Sequence, residues 1–161
     1  MTDRAPMAGN TPAGDVSELF PAGIPRLNHV AMSVPAELLE GDRRAELLGF
    51  YAECFGWQEL AEQGEEGRVA VLTVGHWDNF VFLHAEDEPM TAAGLDHFGF
   101  SVRSRQDFDA CWERVRSRQA RDDRVEVIPP GVEDHGPILL HSFYMRFGLP
   151  LMVEVQYWEF V

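Results

Sequence analysis

The chain has no lysine. Its 13 basic residues are all arginine, set against 27 Asp and Glu in 161 residues, for a formal net charge of −14. With no lysine there is no side-chain amine for a Schiff base with substrate or pyridoxal phosphate, and no P-loop lysine. GC-rich codon usage is an ordinary cause of the missing lysine, and the catalytic exclusions hold whatever the cause. So acidic a chain is repelled by phosphate backbones and anionic lipid, so neither nucleic acid nor a membrane surface is expected as a partner. Cysteine is scarce too. Cys54 and Cys111 lie 57 residues apart, form no CxxC, and each falls in a helical apolar stripe. Buried free thiols of a cytoplasmic protein are the expected reading. No apolar run approaches the ~20 residues of a membrane span. The first residues show neither the basic nor the apolar region of a signal peptide.

What the chain does have is apolar bulk: 45% hydrophobic residues, with 11 Phe and 4 Trp. At this length that suffices for one domain with a substantial core. Residues 1–23 are rich in Pro, Gly, Ala and Thr, with Leu19-Phe20 as their one plausible anchor, and read as a flexible arm. The folded domain is expected over 24–161.

An internal repeat organises that domain. Leu27-Asn28-His29-Val30-Ala31-Met32-Ser33-Val34 recurs as Leu95-Asp96-His97-Phe98-Gly99-Phe100-Ser101-Val102, identical at four of eight positions with an offset of 68. Both octets alternate as strands do. Each is followed by a helical stripe. Leu47, Phe50, Tyr51, Cys54 and Phe55 mark the first, over about 42–55, with Gly56 as its stop. Phe108, Cys111, Trp112 and Val115 mark the second. Asp107 near the start of the second helix and Arg114, Arg116 and Arg118 towards its end suit the helix dipole. About 11 extra residues separate strand and helix in the first copy. Three β-like runs follow each helix: Trp57–Ala61, Arg68–Val74 and Asn79–Ala85, then Arg124–Ile128, Ile138–Met145 and Leu151–Trp158. Each half therefore reads β-α-β-β-β, module one over about 26–86 and module two over about 94–158. The expected architecture is α+β: two such modules forming one curved eight-stranded mixed sheet, with helices outside and a concave small-molecule face inside.

His29 and His97 hold the third position of the repeated octets and should face the same concave surface from opposite halves. Glu154 lies between valines in the last strand, where an unpaired carboxylate costs several kcal/mol, so it wants a cation or a strong donor. Two histidines and one carboxylate converging from three strands form a 2-His-1-carboxylate site for a divalent metal, open on one side to substrate and oxygen. The alternative is ordinary: two satisfied core histidines, with Glu154 paired to an arginine such as Arg146.

The paired modules, the Phe50-Tyr51…Cys54-Phe55-Gly56-Trp57 segment and the placement of His29, His97 and Glu154 resemble the vicinal oxygen chelate superfamily over about residues 26–158. That group includes glyoxalase I, methylmalonyl-CoA epimerase, fosfomycin-resistance and bleomycin-binding proteins, and type I extradiol dioxygenases. The resemblance implies that the isomerase branch has a fourth, carboxylate or amide ligand on the fourth strand. Here that position falls near Phe82, with His84 two residues on as a possible replacement. The segment His135…Ser142-Phe143-Tyr144…Gly148…Glu154 is similar to the C-terminal signature of single-domain extradiol dioxygenases. By that likeness His135 and Tyr144, 19 and 10 residues before Glu154, stand beside substrate oxygens. The family's proton-transfer histidine has candidates in His76, Asn79 and His84. His141, mid-strand, is expected to be structural.

The resemblance thus implies an Fe(II) dioxygenase of extradiol type, acting with O2 on a catechol-like aromatic diol. His29, His97 and Glu154 hold iron, His135 or His84 serves as acid and base, and Tyr144 donates a hydrogen bond. Phe80, Phe82, Phe98, Phe100 and Trp158 supply an aromatic wall, depending on which way their strands face. A metal-dependent isomerase or lyase using Mn, Zn, Ni or Co is one alternative. A non-catalytic drug-binding protein, drawing cationic ligands by its charge, is another. A homodimer is also implied, in which exchanged modules could bring His29 to the His97 and Glu154 of a neighbouring chain.

Overall fold

A computed structural model describes Gly23 and residues 25–161. The arm expected over 1–23 lies outside the described residues apart from Gly23.

Each module runs strand, helix, three strands. Module one contains β1 (His29–Val34), α1 (Gly41–Phe55), β2 (Gln58–Glu59), β3 (Val69–Val74) and β4 (His76–Ala85). Module two contains β5 (His97–Ser101), α2 (Arg105–Gln119), β6 (Glu126–Asp134), β7 (Ile138–Arg146) and β8 (Met152–Phe160). The extra residues of the first copy make a 3-10 turn, Ala36–Leu39, that buries Leu39. The α1 stripe buries Leu47, Phe50, Tyr51 and Cys54. The helix stops at Gly56, whose φ of 71° is left-handed and whose N–H donates to the Ala52 carbonyl. Ser104 caps α2. Its Oγ accepts from the Asp107 N–H at 3.1 Å and donates to the Asp107 carboxylate at 2.7 Å.

The strands form two mixed ladders, ordered β1-β4-β3-β2 and β5-β8-β7-β6. β1 with β4 and β5 with β8 are parallel; the other pairs are antiparallel. The paired βαβββ architecture is as expected, but hydrogen bonding is not continuous across eight strands within the chain. β1 and β5 each end a four-stranded ladder. β6 also continues beyond Ile128, because a bulge between Ile128 and Gly131 absorbs Pro129-Pro130 and pairing resumes to Asp134.

Packing joins the modules. The Tyr51 hydroxyl donates to the Phe147 carbonyl at 2.9 Å across 96 residues of chain, and Phe50 stacks on Phe147 at 4.5 Å between centroids. Trp57 stacks on Tyr51 at 4.6 Å and meets Phe100 edge-on at 5.4 Å. Arg114 Nε donates to the Cys54 carbonyl, tying α2 to the C-terminal end of α1. Both cysteines are free and buried.

Candidate metal centre

Directly paired residues in a ladder share a sheet face. In module two, His97, Gly99 and Ser101 of β5 lie opposite Met152, Glu154 and Gln156 of β8, and Tyr144 of β7 lies opposite Glu154. This register brings together the acidic and imidazole groups singled out above.

Glu154 is 4% exposed. Its Oε2 accepts from the Gln156 amide at 2.8 Å and lies 3.4 Å from His97 Nε2. The Tyr144 phenol is also hydrogen-bonded to Glu154. That bond, followed by desolvation, raises the phenol above its ordinary pKa. Tyr144 meets the His97 ring edge-on, 5.1 Å between centroids. Arg146 is not the partner of Glu154; it pairs with Glu126. Gly99 makes the room. A Cβ there would meet Glu154 Oε2 at 3.0 Å.

His97 is preset. Its Nδ1 lies 2.6 Å from the Leu95 carbonyl, which can only accept, so Nδ1 carries the proton. In the neutral ring the lone pair is then on Nε2, facing the Glu154 carboxylate. An imidazole nitrogen with its other nitrogen held by a carbonyl, beside a carboxylate oxygen, is a donor set that suits a divalent first-row cation. By this test the residues fit a metal.

The third expected ligand lies elsewhere. His29 is on the exposed face of β1, stacked on Phe80 at 5.0 Å, with Nδ1 2.8 Å from Asn28 Oδ1. It lines a cleft of about 210 Å³ with Asn79, Phe80, Phe98, Gly99 and Phe100. Among the described residues no three His, Cys, Asp or Glu side chains gather closely enough to hold a metal. His29 therefore does not join His97 and Glu154 within one chain.

The other expected site residues divide by strand parity and distance. Phe80, Phe82 and His84 share the His29 face, opposite His29, Ala31 and Ser33. Phe82 stands to Ala31 as Glu154 stands to Gly99, so module one carries phenylalanine where module two carries its carboxylate. His84 Nδ1 lies 3.3 Å from Glu86. Phe98 and Phe100 alternate with His97 and so pack on Trp57, on the opposite side of β5. Trp158 shares the Glu154 face, four residues further along β8. Within one chain, then, Phe80, Phe98 and Phe100 border the His29 cleft, while Phe82 and Trp158 are not among its lining residues.

His135 sits at the tip of the β6–β7 hairpin, its N–H bonded to the Ile138 carbonyl and its ring 3.4 Å from Glu133. Six residues of β8 separate the Ile138–Phe160 pair from the Glu154 pair, about 20 Å along the strands, so one chain does not bring His135 to Glu154. His76 is held by Asp78, which Arg26 grips from the other side. Buried His141 accepts at Nδ1 from Arg105 at 3.3 Å and donates from Nε2 to Glu159 at 2.7 Å, a structural tie between α2 and the sheet. Gln156 was missed by the sequence reading. Its signal was its place two residues after Glu154, on the same face.

The chain belongs to the Glyoxalase/Bleomycin resistance protein/Dioxygenase superfamily, whose family model matches residues 26–132. No curated protein matches. Three solved structures share its fold. The fosfomycin resistance protein FosX from Mesorhizobium loti is 19% identical with a TM-score of 0.56, covering 83% of this chain and 92% of that one. A mutant FosX from Listeria monocytogenes, complexed with Mn(II) and 1S,2S-dihydroxypropylphosphonic acid, is 16% identical with a TM-score of 0.57, covering 82% and 89%. Lactoylglutathione lyase from Agrobacterium tumefaciens is 17% identical with a TM-score of 0.55, covering 83% and 94%. At these identities the likeness is one of fold. Among the described residues no helix is long and apolar enough to cross a membrane.

Proposed function

We propose that this protein is a metal-dependent enzyme that binds two neighbouring oxygens of a small substrate, and specifically an Fe(II) dioxygenase of extradiol type acting on a catechol-like diol with O2 in the cytoplasm. The observation that carries the reading is the His97–Glu154 pair, with the imidazole proton held by Leu95 and the lone pair aimed at the carboxylate. When bound, the metal supplies Lewis acidity towards the substrate oxygens and, as Fe(II), redox chemistry with O2.

His29 completes the ligand set from a second copy of the chain. β1 and β5 both end their ladders. An unpaired edge presents N–H and C=O groups to another strand, so β1 of one copy set beside β5 of the other supports a homodimer that joins His29 to His97 and Glu154. The remaining work falls to the chain's own groups. Gln156 fixes one oxygen of Glu154. Tyr144, whose raised pKa keeps it a phenol, offers a proton donor beside the site. Phe82 leaves the fourth-ligand position apolar, consistent with a three-ligand set. His84, on the His29 face, arrives with His29 as the acid–base group. His135 has no comparable path to the site.

Anaerobic loading with Fe(II), followed by O2 uptake against a panel of catechols, tests the proposal. Ring cleavage with stoichiometric O2 use is expected. Full metal loading with no oxygen consumption across the panel overturns the dioxygenase reading. The second reading is an oxygen-independent isomerase, epimerase or lyase on Mn, Zn, Ni or Co. It draws support from the Mn(II) of the Listeria FosX complex. A His97→Ala variant that keeps full ligand affinity would instead mark a non-catalytic binder.

A further inference from the structure

A second concavity, of about 290 Å³, lies on the far side of β5 from His97. Phe55, Trp57 and Phe100 line its apolar part, and one face of α2 forms a wall with Asp107, Ala110 and Arg114. It occurs where the two modules meet, a preferred place for small-molecule sites, and it is at the small end of their size range.

Arg114 is the distinctive member. Its Nε is spent on the Cys54 carbonyl at 2.9 Å, which orients the guanidinium. No carboxylate pairs with it among the described residues, although its neighbours Arg116 and Arg118 on the same helix pair with Glu113 and Glu53. In a chain of net charge −14, an arginine left without an acidic partner at the rim of an aromatic groove is conspicuous. The guanidinium also reaches the Cys111 thiol on the groove wall, and with its other N–H groups met by no carboxylate it can recognise one. Asp107 lies seven residues earlier, about 10 Å along the helix on the same face. Its carboxylate makes the other end of the groove hostile to a second negative charge.

We infer that this groove binds a small aromatic or aliphatic monocarboxylate, with the carboxylate on Arg114 and the apolar body against Phe55, Trp57 and Phe100. This is a site separate from the candidate metal centre. It offers a place for an acidic ligand to act without competing for His97 and Glu154.

Calorimetric titration of the full chain with 1-naphthoate tests this. Saturable binding is expected in the parent protein and in His97→Ala. Arg114→Gln should weaken it at least tenfold, as loss of a charge-assisted pair does. 2,6-Naphthalenedicarboxylate should bind at least tenfold more weakly than 1-naphthoate, and Asp107→Asn should narrow that gap. Because Arg114 also satisfies the end of α1, Ala110→Phe provides an independent block that fills the groove while leaving Arg114 in place, and it too should abolish binding. No saturable binding up to about 10 mM overturns the inference. Binding that survives Ala110→Phe, or is lost in His97→Ala, overturns it as well, because the ligand then sits elsewhere.

Discussion

Gly99 and Glu154 face each other across the β5–β8 pair, and a Cβ on residue 99 would lie 3.0 Å from Glu154 Oε2. The missing side chain gives the carboxylate the position in which it meets both Gln156 and His97. Gly99→Ala therefore tests the candidate centre without touching a ligand. The backbone at residue 99 is ordinary for an L-residue, so the effect is local. The carboxylate must shift by a few tenths of an ångström and lose its best hydrogen bond. Divalent-metal affinity, measured by calorimetry, should fall about tenfold, or about 1.4 kcal/mol, with the melting temperature nearly unchanged.

The position of His29 yields a sharper test. If His29 serves the neighbouring copy, His29→Ala and His97→Ala each remove every metal site in their own homodimers. Mixing the two variants after reversible dissociation should then restore sites. A heterodimer places both lesions in one site and leaves the other intact, so random one-to-one mixing should recover about a quarter of the parent sites. Metal stoichiometry reads this directly. No recovery, with heterodimers demonstrated by mass, would place all ligands within one chain.

The repeat made most of this fold legible. Two octets with the same alternation imply two modules, and each helical stripe named its buried face: Phe50, Tyr51 and Cys54 in one, Phe108 and Cys111 in the other. His97, Glu154 and Tyr144 were also legible, since strand parity puts them on one surface. Parity equally implied that Phe98 and Phe100 cannot share that surface with His97. What the pattern did not carry was distance. The continuation of β6 past Pro129-Pro130, which prolines normally argue against, depends on a bulge, and it carries His135 to a hairpin tip. The separation of His29 from His97 has a related cause. Equivalent positions in two modules imply equivalent faces, but not the distance between their ligands: His29 shares a cleft with Phe98, Gly99 and Phe100 of β5, yet it does not gather with His97 and Glu154.

The ends of α2 offer a stability test away from any site. Ser104 both accepts from the Asp107 N–H and donates to its carboxylate. Ser104→Ala removes both interactions and should cost about 1 kcal/mol. For a domain of this size that corresponds to a fall of about 2–4 °C in melting temperature. Asp107 loses its partner at the rim of the second groove, so binding of 1-naphthoate should change far less than it does in Arg114→Gln.

The buried thiols fix the expected alkaline behaviour. Burial, with the Glu53 charge next in importance, pushes the Cys54 thiol from 9.0 up to about 12, and burial raises Cys111 as well. A group whose pKa is raised by folding contributes stability that is complete below its unfolded value. That stability is lost as pH climbs towards its folded value. The protein should thus lose stability from about pH 9 to about pH 12. Tyr51, raised by complete burial, and Tyr144, raised mainly by Glu154, should extend the loss above pH 10. Urea unfolding at pH 8 and pH 11 under reducing conditions measures the slope, and Cys54→Ala should flatten its lower part. The same burial predicts that Ellman's reagent labels neither thiol at pH 8 until urea is added, since the thiolate is the reactive form. Rapid labelling of the folded chain would mean that the contact between α1 and α2 around the Cys54 carbonyl opens readily.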